Sequence, residues 1–159
     1  MTSRPAELEF RVEDRGVVLD HMTRLSTRHR GWLNLQPGIR EEDAPESPTS
    51  LGLIFSSSTH TVPVCTWVPG RDGRHGVEPD SVGVQHATGP RVVARLAGLG
   101  VPLPEGWRWT QDHPRRGLVV RVPPGTPLDD ELRWLLDAGT ALSTVPLTGD
   151  WRALVYEGR

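Results

Sequence analysis

The sequence predicts an α+β domain: a mainly antiparallel sheet of about six to seven strands with three helices packed on one face. Three observations point that way. Short apolar stretches with a period of two recur along the chain, turn-rich segments short enough for hairpins join most of them, and three stretches with helical spacing interrupt them.

Leu8, Phe10 and Val12 alternate with Glu9 and Arg11, the pattern of a half-buried strand over 8–12. Val18, Met22 and Leu25 fall at helical spacing and predict a helix over about 16–29. Gly31 stands near its C-terminal cap, and Arg28, His29 and Arg30 suit its negative end. Trp32 to Gln36 reads as a strand stopped by Pro37-Gly38. Residues 41–50, acidic and then rich in Pro, Ser and Thr, have no apolar face to bury and read as a flexible loop. Leu51–Phe55 and Val62–Val68 read as two apolar strands around Ser56–Thr61, with Pro63 favouring an edge or starting position; 69–80 is a polar loop.

Val82, Val84 and His86 alternate as a strand, and Thr88-Gly89-Pro90 supplies a cap and a first-turn proline for a helix of Val92, Val93 and Leu96 ending near Gly98 or Gly100. Trp107, Trp109 and Gln111 share one face of a strand that turns at His113–Gly117 and returns over Leu118–Val122. Thr126-Pro127 then opens the strongest helix. Asp129, Asp130 and Glu131 complement its positive end, and Leu128, Leu132, Leu135, Leu136 and Leu142 make one apolar face. Trp134, Ala138 and Ala141 make a second stripe, unless the helix ends at Gly139; Trp151–Tyr156 closes the chain as a strand.

Gly31-Trp32-x-x-x-Gln36 and Gly106-Trp107-x-x-x-Gln111 echo one another. Each is followed by Gly-Leu and two apolar residues, at 52–55 and 117–120. The echo predicts two weakly related α-β-β modules side by side in one sheet. The middle order of helix, three strands, helix, two strands, helix resembles that of small secretion-chaperone-like domains, a likeness of element order that implies fold and not function.

With 159 residues, 36% hydrophobic and 24% charged, the chain has the size of one domain spanning 1–159 and too much apolar content for charge-driven disorder. No run approaches the ~18 apolar residues of a membrane helix. Every lysine-or-arginine position is arginine, and Gly and Pro are abundant, the bias of a GC-rich genome, so most Pro-Gly turns need no functional reading. The single Cys65 forms no internal disulfide, and the residues after Met1 lack a signal-peptide pattern, so the expected location is cytoplasmic. Nine arginines against twelve acids in 1–80, and nine against eight in 81–159, leave −3 and +1. Neither half has the basic excess of a nucleic-acid binder.

The histidines at 21, 29, 60, 75, 86 and 113 show no metal-ligand spacing, and no nucleophile elbow, phosphate loop or dinucleotide fingerprint occurs, so neither a metal nor a cofactor is expected. Two strand ends are chemically richer: Gln85-His86 running to Arg91, and Gln111-Asp112-His113 running to Arg115-Arg116. If they converge, His86, Asp112 and His113 suffice for acid–base work, and Arg91, Arg115 and Arg116 could hold an anion. The structural alternative makes His86 a sheet-face residue and 112–117 a stitched turn. Cys65, in an apolar run, reads as inert filler, and the tryptophans on strands read as core.

Two function classes follow. The first is a non-enzymatic protein-binding or adaptor domain, resting on the absence of a catalytic signature and on the Trp134, Ala138, Ala141 stripe, which would bury itself in a protein partner or in a second copy as a homodimer. The second is a small enzyme or anion-binding protein built on the two polar strand ends.

Overall fold

The structure, a computed structural model, describes residues 4–43 and 62–158. In chain order the elements are β1 (Ala6–Arg11), a 3-10 turn (Val12–Asp14), α1 (Gly16–Arg28), β2 (Trp32–Ile39) and a second 3-10 turn (Glu41–Asp43). There follow β3 (Val64–Val68), a small hairpin of β4 (Asp72–Gly73) and β5 (Gly76–Val77), β6 (Asp80–Gln85) and α2 (Val92–Gly98). The chain continues with β7 (Arg108–His113), β8 (Gly117–Val122), α3 (Leu128–Leu142) and β9 (Leu147–Tyr156). Seven strands form one sheet in the order β1-β9-β2-β3-β6-β8-β7, with every neighbouring pair antiparallel. The architecture is α+β, as the alternating pattern predicts. The strand expected at Leu51–Phe55 and most of the loop expected at 41–50 lie outside the described residues.

The period-two residues decide which face is covered. Phe10, Leu33, Leu35, Cys65, Trp67, Val82, Val84, Leu118, Val120, Trp151 and Ala153 all point to one side and are buried there. Val18, Met22 and Leu25 of α1, Val92 and Leu96 of α2, and Leu132, Leu135, Leu136 and Leu142 of α3 meet them in a single apolar cluster. Each fully buried leucine contributes about 1.5–3 kcal/mol over an exposed one. Helix α3 packs on β3 and β6 and touches both other helices, so all three helices lie on the same face. No helix among the described residues is long and apolar enough to cross a membrane.

Gly139 does not end α3, which runs on to Leu142. A Cβ there would lie 2.8 Å from Cys65 Sγ and 2.9 Å from Trp151 Cη2, so glycine is what lets the helix settle onto β3 and β9. The second stripe of α3 is turned inward and not outward as expected. Trp134 is 6% exposed, its indole N–H donates to Pro102 O at 3.1 Å, and its ring tilts against Trp107 at 5.5 Å. Ala138 is buried and Ala141 packs against the core. A helix roofed on several sides by its own chain is apolar on several sides, so this stripe offers no interface to a partner.

Local signals were displaced in a few places. His29, not Gly31, takes the left-handed cap of α1 (φ 51°), its N–H bonding Leu25 O and Ser26 O. Gly31 is required for a different reason: a Cβ there would come within 2.4 Å of Tyr156 O. In β7 a bulge between Trp109 and Gln111 breaks the alternation, so Trp109 stands opposite Val120 whereas Gln111 stands opposite Val119, on the other face. Trp107 precedes the strand and turns into the core.

Of the echoing stretches, 32–36 lies in β2, and 108–111 and 117–120 lie in β7 and β8 of the same sheet, whereas 52–55 lies outside the described residues.

Gly139→Ala gains about 1 kcal/mol of helix propensity but forces a methyl into the α3–sheet contact, where overpacking costs about 1–3 kcal/mol. The expected outcome is a lower urea midpoint with an unchanged slope, and an unchanged or higher midpoint would show that the contact is looser than described.

Candidate functional site

The polar strand ends are settled by parity along β6 and β7. Val84 and Asp112 both face the helices, because each stands opposite Leu118, and His86, two residues after Val84, shares that side and is 2% exposed. His113 stands opposite Gly117, one step further, and so projects from the other face. The two histidines share no pocket.

Each polar group has a local structural partner. Asp112 accepts from Val92 N–H at 3.0 Å and Val93 N–H at 3.2 Å, capping α2 from twenty residues away. Arg91 itself takes the left-handed conformation at the cap position and supplies no side-chain bond. The Thr88 N–H donates to His86 Nδ1 at 3.3 Å, and Thr88 Oγ1 lies 2.9 Å from the same nitrogen. The Arg115 and Arg116 N–H groups both donate to His113 Nδ1 at 3.0 Å, which stitches the β7–β8 turn. Backbone donors that an anion would need are thereby occupied, and the Arg91, Arg115 and Arg116 side chains are exposed. This end of the sheet is a capped and stitched turn. Cys65 is buried, donates to Leu135 O at 3.4 Å, and is pushed up to about 12 by burial, so it is an inert thiol.

The least ordinary ionisable group is Glu131. It is buried against the sheet, where Oε1 accepts the Trp67 indole N–H at 3.3 Å, and burial followed by the charge of neighbouring Asp80 pushes its carboxyl up to about 9. Asp80 in turn accepts the Gly70 N–H at 2.7 Å. Glu131 is therefore a neutral acid at pH 7. Its place was readable: three residues after Leu128 and four before Leu135, it stands on the leucine stripe and not on a solvated first turn.

None of the described helices covers the face of the sheet away from α1, α2 and α3. Across it run Glu7, Leu154, Asn34, Thr66, Gly83, Val119 and Gln111, cross-strand neighbours in one row. A flanking row holds Tyr156 and Trp32, and beyond β3 it continues through Ser81, Arg121 and Arg108. The Trp32 and Tyr156 rings stack with centroids 4.7 Å apart and planes 9° from parallel. Beside them, because Gly83 has no side chain, the surface sinks into a hollow of about 190 Å³ lined by Thr66, Val68, Ser81, Gly83, Gln85 and Val119. Small-molecule sites run to about 300–1,000 Å³, so this hollow suits a single side chain better than a substrate.

Among the described residues no group of three or more His, Cys, Asp or Glu is placed to hold a metal. Compared with known proteins, the chain matches no family model, no curated protein and no solved structure. Function therefore rests on the site alone.

Glu131 makes a pH prediction with a definite sign. Its folded value near 9 lies above the ordinary 4.5, so its contribution to stability is fully present below about pH 4.5 and is lost as pH rises toward 9, at about 1.4 kcal/mol per unit. Glu131→Gln keeps an acceptor for Trp67 and removes the titration. The variant is expected to match the parent near pH 4.5 and to exceed it by on the order of 4 kcal/mol at pH 8. Denaturation at a series of pH values checks this, and a difference that does not change with pH would exclude a buried neutral acid.

Proposed function

We propose that this is a non-enzymatic protein-binding or adaptor domain whose working surface is the open face of the sheet. The observation that carries the reading is the stacked Trp32–Tyr156 pair beside the Gly83 hollow, on the sheet face that none of the described helices covers. Aromatic side chains on a pleated face with small neighbours give a partner both a contact area and a pocket, the usual make-up of an interface centre. The polar strand ends, the basis of the enzymatic alternative, favour this reading too, since they are engaged in caps and turns. A cytoplasmic setting fits a buried thiol left unpaired by any disulfide.

Affinity capture with the tagged chain tests the reading when open-face and helix-side variants are compared. Thr66→Glu places a charge in the middle of the open face, and Asp137→Arg changes an exposed position on α3. Binding partners should be lost with the first and kept with the second. Equal capture by both would show that the open face is not the docking surface.

A further inference from the structure

Resting on that reading, we infer that the occupant of the open face is a second copy of this chain, the two sheets packed face to face about a twofold axis parallel to the strands. Two features choose this axis independently.

The first is charge. On the open face the β1 edge presents the exposed Glu7 and Glu9, and the far edge presents the exposed Arg108 and Arg121, which stand directly opposite one another on β7 and β8. Like charges so placed repel, and neither arginine has an acidic partner among the described residues. Arg152 stands opposite Glu9, and Arg11 is held by Glu13 and Asp150, so the β1 edge stays acidic in balance. Rotation about an axis along the strands carries the β1 edge of one copy over the β7 edge of the other, twice over. Arg108 then lies over β1 and Arg121 over β9; the offset along the strands is one residue pair to Glu7, about 7 Å and within the reach of an arginine, and two pairs to Glu9. An axis across the strands would instead lay the arginine pair on its own copy.

The second feature is shape. β3 is the middle strand of the seven; Trp32 lies one strand to one side and the Gly83 hollow one strand to the other. The same rotation sets the Trp32 ring of each copy, 37% exposed, over the hollow of its partner. Seven strands about 4.8 Å apart, with about six residues each at 3.3 Å, give a face of roughly 30 by 20 Å. That flat area of about 600 Å², enlarged by side-chain relief, approaches the ~800 Å² per partner of a standard interface.

Sedimentation velocity of the full chain over a range of concentrations tests this. The parent is expected to dimerise, and Arg108→Glu with Arg121→Glu, or Glu7→Arg with Glu9→Arg, should each weaken the dimer about tenfold or more. Carrying both reversals together should restore it, which a merely structural effect would not do. Trp32→Asp should yield a monomer with an unchanged circular dichroism spectrum. A parent that stays monomeric at the highest concentration reached, or a dimer indifferent to both reversals, or no recovery in the combined variant, overturns the proposal. If the parent is monomeric while Thr66→Glu still abolishes capture of another protein, self-association falls and the docking reading stands; if capture is also indifferent, both fall.

Discussion

The close seating of α3 on the sheet is the constraint from which the rest of the structure follows. Gly139 brings the helix backbone down onto Cys65 and Trp151, and a helix held that close must hide whatever side chains share its lower face. Leu132, Leu135 and Leu142 gain from this, and Glu131 is carried under with them and loses its charge. With α3 at that depth, α1 and α2 pack along its flanks, and the bidentate Arg15–Asp129 pair, at 2.6 and 3.0 Å, ties the start of α1 to the start of α3. Trp134 is closed in by Trp107 and Pro102. Among the described residues all the helical cover is then spent on one side of the sheet, and no described helix lies on the other.

Patterns that depend on neighbours in sequence were legible. The alternation at Val82 and Val84, the Leu118–Val122 return strand and the leucine stripe of α3 each report a period, and burial follows the period directly. What depends on partners distant in sequence was not. The cap of α2 comes from Asp112, twenty residues on, so the local candidates at Thr88 and Gly89 were the wrong place to look. The bulge after Trp109 moves Gln111 to the opposite face, and nothing in a Trp-Thr-Gln stretch announces an extra residue in one strand. The stripe of Trp134, Ala138 and Ala141 was correctly seen as apolar but assigned to the wrong neighbour, because periodicity tells which residues hide and not behind what.

The same limit shaped the functional reading. His86, Asp112 and His113 are near one another in the folded chain as their shared sheet end implies, but strand parity splits the histidines between faces and the carboxylate is committed to a helix end. Meanwhile Trp32 looked like a core tryptophan, since an aromatic in a short strand usually is one. It is exposed because Leu33, its neighbour, takes the helix side, and the described helices all lie on that side.

Pairing of two copies through the side that the described helices leave bare is the central claim, and hydroxyl-radical footprinting across a dilution series tests it. Trp32 and Tyr156 report the open face, while Trp109, 56% exposed on β7, stands opposite Val120 on the helix side of the edge strand. The account predicts that oxidation of Trp32 and Tyr156 falls as concentration rises while that of Trp109 holds constant. Protection of all three in step, or of Trp109 alone, would contradict it.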